Sequence, residues 1–221
     1  MPDDLQELRQ DLRARWHRTV LEARAGQPTP ADTTTPYAEN LLTRWSEPQR
    51  RYHTPTHLLT VLTHVDTLAE HADDPSAVRL AAWFHDAVYR PDRTENEERS
   101  AALAERALPE LGLPAPLTAE VARLVRLTTT HDPDPDDTNG EVLCDADLAI
   151  LAASPEDYAA YAASVREEYA FVPDEAFRTG RSAVLAQLLA LPALFRTPYG
   201  IAHWQDRARS NIATELDLLR A

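Results

Sequence analysis

The apolar positions along the chain recur at spacings of three and four residues, the period of one face of an α-helix. No segment shows the alternation of apolar and polar residues that predicts a β-strand. The clearest stripe follows Thr54 and Pro55, where Thr54 can cap a helix and Pro55 can occupy its first turn. That stripe consists of Leu58, Val61, Leu62, Val65 and Leu68. The pattern predicts an all-α protein.

Start and stop signals predict about nine helices in one domain. Three prolines and four threonines make residues 27–36 a predicted connector, so residues 1–36 are expected to be an N-terminal helix and connector packed on a domain of residues 37–221. Thr94 and Glu97 are predicted to form a capping box, and residues 132–140 an exposed acidic loop. Helices are predicted near residues 3–25, 37–46, 55–68, 75–88, 94–112, 118–131, 142–153, 155–171, 174–191 and 203–219.

Charge and composition narrow the possible partners. The formal net charge of −14 over 221 residues argues against binding to nucleic acid or to anionic membranes, because no excess of cations is present to release counterions. Cys144 is the only cysteine, so no intrachain disulfide can form. No apolar stretch approaches the length of a membrane span, and the N-terminus lacks the apolar core of a signal peptide. We therefore expect a cytoplasmic protein, of undetermined oligomeric state.

Ionisable groups interrupt three of the predicted apolar helical faces. His85 and Asp86 lie within the most apolar helix, Asp147 lies in register with buried positions of another, and His57 stands near the start of a third. A buried carboxylate needs a cation or strong donors as its partner. An arginine could be that partner for Asp86. Two imidazoles and two carboxylates from three helices also suit a catalytic divalent ion, with Asp145 as the rival to Asp147.

The motifs around these residues resemble those of the HD superfamily of metal-dependent phosphohydrolases. His57, His85-Asp86 and Asp147 reproduce its H…HD…D signature, and the segments RRYHTPTH, AAWFHDAVY, NEERSA and LCDADLAIL are similar to those of a family of small bacterial predicted HD phosphohydrolases, over about residues 46–211. YHTPTH and ADL also resemble segments of cyclic-nucleotide phosphodiesterases. Thr54 departs from the asparagine of their YHNxxH pattern, so the match does not imply a cyclic nucleotide as substrate.

The resemblance implies an HD-type helical bundle and roles for individual residues. His57, His85, Asp86 and Asp147 would hold one or two divalent ions (Mn, Fe, Co, Ni, Zn or Mg), with Asp86 able to bridge two ions. His53 would be the general acid that protonates the leaving oxygen while metal-activated water attacks phosphorus. The implied activity is hydrolysis of a phosphate ester or anhydride of a small molecule, and a nucleotide is the expected substrate.

Other polar residues have both a functional and a structural interpretation. His131 can contact substrate or a second metal, or simply end a helix. The remaining candidates for substrate binding are Asn96 and Glu97, of which Glu97 is also a capping residue, and Arg181 and Arg209, which can hold phosphate or form salt bridges.

Two alternative functions stay open. Some HD proteins are di-iron oxygenases that use further histidines, and His131 is the only such candidate in the appropriate region. A non-catalytic domain that binds a nucleotide or a protein partner is the other alternative, although the presence of His53 and of all four metal-type residues argues against it.

Overall fold

The computed structural model describes residues 2–25 and 31–220, and within them the chain forms eleven α-helices, two short 3₁₀ turns and no β-strand. The all-α prediction is confirmed, with more helices than the nine or so predicted. The short helix Pro198–His203 was missed because six residues are too few to show a helical period. The helices are α1 (Pro2–Ala23), α2 (Ala31–Trp45), α3 (Pro55–Leu68), α4 (Pro75–Phe84), α5 (Asn96–Glu110), α6 (Ala115–Leu127), α7 (Thr138–Leu148), α8 (Pro155–Glu168), α9 (Asp174–Ala190), α10 (Pro198–His203) and α11 (Gln205–Arg220).

The predicted connector over residues 27–36 is wrong for residues 31–36, which belong to α2 with Pro36 inside the helix. Residues 27–30 lie outside the described residues. A proline inside a helix removes one backbone hydrogen bond. In α2, the burial of Leu41, Leu42 and Trp45 offsets that loss. The proposed boundary at residue 36 therefore falls within a helix.

Helices α1 to α7 share a hydrophobic core built around three tryptophans, Trp16, Trp45 and Trp83. Trp16 of α1 packs edge-on against Trp83 of α4, with ring centroids 5.2 Å apart. Helix α1 therefore contributes to the same core as the helices that follow it. A second apolar cluster joins the 3₁₀ turn Ala149–Ala152 to α8, α9 and α11, around the fully buried Phe195.

Helices α3, α4 and α7 pack against one another and carry the candidate site. Helix α3 begins at Pro55 as predicted, although the Thr54 side chain makes no capping hydrogen bond. Helix α4 ends at Phe84 instead of near Val88, and beyond it the backbone of Val88 is hydrogen-bonded to the Ser100 hydroxyl. His85 and Asp86 therefore lie at the end of α4, where the chain turns.

The predicted capping box of Thr94 and Glu97 is wrong. Helix α5 begins at Asn96 with Glu95 in the cap position, and the cap makes no side-chain hydrogen bond. The Asn96 amide instead binds the backbone N–H and carbonyl of Arg90, at 3.0 and 2.9 Å. This local pairing organises the loop before α5 and shifts the helix start.

Helix α7 begins at Thr138, inside the segment predicted to be an acidic loop over residues 132–140. The Asp137 carboxylate caps it by accepting a 3.0 Å hydrogen bond from the Gly140 N–H. A Cβ at Gly140 would lie 2.7 Å from Leu127 Cδ2 and still closer to the Asp137 carboxylate. The absence of a side chain at Gly140 therefore allows α6 and α7 to approach closely, although in the sequence this glycine resembles a turn residue.

Ser154 caps α8 by accepting a hydrogen bond from the Asp157 N–H at 3.2 Å. Among the described residues, no helix combines the length and apolar character needed to cross a membrane.

Candidate metal centre

Three helices bring His57, His85 and Asp147 together. Nε2 of His57 lies 3.2 Å from Oδ1 of Asp147, and Nε2 of His85 lies 3.5 Å from the same oxygen. One donor atom from each residue lies within 4.8 Å of the other two. Both imidazoles are almost fully buried, with side chains 4% and 1% exposed. These three residues could therefore hold one metal ion.

The bonding of the two imidazoles fits a metal. The Ala82 carbonyl accepts a 2.8 Å hydrogen bond from Nδ1 of His85, so Nδ1 carries the proton and Nε2 of the neutral ring has a free lone pair. Nε2 of His57 and Nε2 of His85 are buried and have no hydrogen-bond partner. Leaving such groups unpaired costs about 1–3 kcal/mol each, and a metal ion bound by both would satisfy them.

Burial and charge act in opposite directions on these groups. Burial lowers the pKa of His57, which favours the neutral imidazole that a metal requires. Burial also lowers the pKa of His85, but the Asp86 and Asp147 carboxylates outweigh it and raise that pKa to about 9. The negative potential that attracts a proton to His85 would equally attract a divalent cation.

Asp86 lies beside this three-residue group. Its Oδ2 is 3.4 Å from Nε2 of His85 and 3.7 Å from Nε2 of His53. Its backbone carbonyl accepts a 2.8 Å hydrogen bond from the buried Arg50, whose guanidinium also donates to the His53 carbonyl at 3.0 Å. Arg50 thereby fixes the segment before α3 against the end of α4, with Asp86 placed between the two histidines.

A buried glutamate that the sequence analysis did not single out, Glu168, holds His53. Oε2 of Glu168 lies 2.7 Å from Nδ1 of His53 and accepts a 2.8 Å hydrogen bond from the Tyr89 hydroxyl. Its Oε1 accepts hydrogen bonds from the backbone N–H groups of Arg51, Tyr52 and His53 at 2.8–3.0 Å. One carboxylate thus fixes both the backbone and the ring orientation of His53.

Glu168 and His53 also shift each other's pKa. Burial raises the pKa of Glu168, but the bonded His53 outweighs it and lowers that pKa to about 2. Burial lowers the pKa of His53, and Asp86 and Glu168 together raise it above its ordinary value. With Nδ1 bonded to Glu168, Nε2 is the ring atom that faces Asp86. His53 can therefore carry a proton next to the metal group.

Glu168 carried a signal in the sequence. It follows Tyr158, Tyr161 and Val165 at spacings of three and four, so it lies on the face of α8 that is buried or half-buried. A carboxylate on such a face requires a donor.

Of the candidate residues discussed next, His131 and Glu97 lie at or near this group, and Asn96 and Asp145 do not. His131 places its Nε2 2.8 Å from Oδ2 of Asp147. Glu97 lines the same pocket as the metal group, whereas Asn96 binds the loop backbone described above and is not among the pocket residues. Asp145 faces away, accepting hydrogen bonds from the Arg196 N–H and from the N–H and hydroxyl of Thr197 at 2.7–2.8 Å.

The two candidate arginines are already bonded elsewhere. Arg181 donates to both carboxylate oxygens of Glu215, at 2.8 and 3.0 Å. Arg209 donates to the carbonyls of Leu189, Leu191 and Pro192 at the end of α9. Arg181 lines the pocket, whereas Arg209 does not.

A pocket of about 640 Å³ opens onto the metal group. Its walls come from α5, α7, α8, α9 and the connecting segments, and they combine the polar site with an apolar surface. It is lined by His53, His85, Asp86, Tyr89, Glu97, Thr128, His131, Asp147, Tyr161, Val165, Tyr169, Val172, Ala176, Phe177, Gly180, Arg181 and Val184.

No family model, curated protein sequence or solved structure matches the chain.

Proposed function

We propose that the chain is a metal-dependent phosphohydrolase of the HD type, folded as an HD-like helical bundle. The observation that carries the proposal is the convergence of two buried imidazole Nε2 atoms without hydrogen-bond partners on the carboxylate of Asp147. That donor set is one that catalytic divalent ions use. The motif resemblance around His57, His85-Asp86 and Asp147 supports the same conclusion.

Each residue of the site has its own proposed role. His57, His85 and Asp147 would hold a divalent ion, with Asp86 beside them as a further ligand or a bridge to a second ion. Such an ion supplies a Lewis acid for a phosphoryl oxygen and activates water. His53, oriented by Glu168, would hold a proton on Nε2 and deliver it to the leaving oxygen. The pocket would enclose the rest of a small phosphorylated substrate, for which a nucleotide is our expectation.

The proposal is tested with the full-length protein. Elemental analysis after purification should find a first-row transition metal or Mg²⁺, and hydrolysis of p-nitrophenyl phosphate or of nucleotides should require added Mn²⁺, Co²⁺ or Ni²⁺ and stop with a chelator. Turnover should not depend on oxygen. Bound metal without hydrolysis of any phosphorylated compound in a broad screen would contradict the proposed activity and favour a binding role.

One observation favours a second candidate function. His131 contacts Asp147 in the same pocket, so a further histidine is available to a second metal ion. A di-iron oxygenase would use such a histidine. Iron at two equivalents per chain together with oxygen-dependent turnover would support this alternative, and oxygen-independent hydrolysis would exclude it.

A further inference from the structure

The pocket beside the metal group has an aromatic and apolar wall that the proposed hydrolysis does not itself require. Helix α8 supplies Tyr161 and Val165, helix α9 supplies Phe177 and Val184, and Tyr169 comes from the segment between them. Val184 is 49% exposed, and Phe177 is half-buried. Covering a large exposed apolar side chain with a ligand removes apolar surface from water and therefore favours binding.

The wall also has an open position. Gly180 lies on α9 between Phe177 and Val184, and a Cβ built there meets no atom within 4 Å. Glycine in a helix costs about 1 kcal/mol relative to alanine, and no neighbouring atom forces glycine at this position. The space beside Gly180 widens the pocket between the aromatic side chains.

The charge of the pocket limits how many phosphates it can accept. Arg181 is the single Lys or Arg among its lining residues in the described part of the chain, and Glu215 already neutralises it through two hydrogen bonds. The carboxylates of Asp86, Glu97 and Asp147 line the same pocket. One phosphoryl group can place its oxygens directly on a bound divalent ion. Additional phosphates would meet carboxylates and no free guanidinium.

We propose that the substrate carries a single phosphoryl group, as an ester, attached to an aromatic or apolar group that packs on Tyr161, Tyr169 and Phe177. Nucleoside monophosphates belong to this class, and nucleoside triphosphates do not. The proposal rests on the proposed function for the position of the phosphoryl group at the metal. The inferred substrate class is based on the aromatic wall and on the neutralisation of Arg181 by Glu215.

Binding tests this inference separately from catalysis. Full-length protein loaded with Mn²⁺ is titrated calorimetrically with adenosine monophosphate, ribose 5-phosphate and adenosine triphosphate. Stacking of a base on an aromatic side chain contributes about 1–3 kcal/mol, so adenosine monophosphate should bind about 5- to 150-fold more tightly than ribose 5-phosphate. It should also bind more tightly than the triphosphate.

Variants of α9 locate the aromatic group. Phe177→Ala should weaken adenosine monophosphate binding at least about fivefold and leave ribose 5-phosphate binding unchanged. Gly180→Leu should also weaken adenosine monophosphate binding and leave ribose 5-phosphate binding unchanged, because the leucine side chain would fill the space beside residue 180. Ala183→Leu is the matched control, because Ala183 is exposed on the same helix and does not line the pocket. It should bind all three ligands as the parent protein does.

The outcomes separate the two proposals. Equal binding of adenosine monophosphate and ribose 5-phosphate, tighter binding of the triphosphate, or no effect of Gly180→Leu would overturn the substrate class, whether or not the protein hydrolyses phosphate esters. Tight, Phe177-dependent binding of adenosine monophosphate without hydrolysis of any ester would support the substrate class and contradict the proposed activity. Absence of binding by all three ligands would overturn the substrate class.

Discussion

Replacing Glu168 by glutamine should destabilise the protein and release His53. Glu168 accepts five hydrogen bonds, three from backbone N–H groups and two from His53 and Tyr89, and its side chain is fully buried. Glutamine keeps the shape of the side chain but removes the charge and replaces one acceptor oxygen with a donor. The half-buried imidazole of His53 would lose its carboxylate partner.

The magnitude follows from the pKa of Glu168. The folded protein lowers it from 4.5 to about 2, and each pKa unit corresponds to about 1.4 kcal/mol, so the charged carboxylate contributes about 3 kcal/mol near neutral pH. Because the folded pKa is lowered, this contribution is complete above pH 4.5 and is lost as the pH falls towards 2. The unfolding free energies of the parent and of Glu168→Gln should therefore converge over that range.

Urea unfolding at a series of pH values measures this difference, and histidine NMR titration follows His53 in the folded protein. In Glu168→Gln the pKa of His53 should fall. Burial lowers this pKa, and Asp86 would raise it without the contribution of the Glu168 carboxylate. Glu167→Gln is the control, since the Glu167 side chain is 67% exposed and its substitution should change stability by no more than about 0.5 kcal/mol. Equal stability of Glu168→Gln and the parent at pH 7, or an unchanged His53 titration, would refute the reasoning.

Three further predictions concern the ligands and the helix contacts. His57→Ala should abolish metal binding, measured by elemental analysis, whereas His53→Ala should keep the metal and lower turnover by about 10²–10⁴; loss of metal from His53→Ala would contradict the assigned roles. Asp145→Ala should retain the metal but lose about 1–3 kcal/mol of stability for each buried donor left unpaired, so retained stability with loss of metal would instead make Asp145 a ligand. Gly140→Ala should lower the melting temperature through overpacking worth about 1–3 kcal/mol, whereas Gly180→Ala should raise it slightly, and equal shifts would show that the contacts around Gly140 do not matter.

The local pattern of the chain was sufficient for much of the fold. Apolar stripes of period 3.6 predicted the helices of the described residues except the short α10, and the helix starts predicted near residues 55, 75 and 155 are those of α3, α4 and α8. The errors arose where contacts distant in sequence outweigh local preference. Residues 31–36 resemble a loop, yet they form a helix whose continuation buries Trp45.

The candidate site divides in the same way. The sequence by itself pointed to His57, His85 and Asp147, because polar groups on apolar helical faces require a partner wherever the helices pack. It favoured Asp147 with Asp145 as the rival, and the packing of α7 places Asp145 on the Arg196–Thr197 backbone.

Tertiary structure alone decided the contacts between distant segments. Glu168 reaches His53 across 115 residues, and Glu215 neutralises Arg181 from another helix. Periodicity tells which face of a helix is buried, but it does not tell which helix covers that face. Since hydrogen bonds and charges depend on the identity of that neighbour, the orientation of His53 and the charge of the pocket follow only from the folded chain.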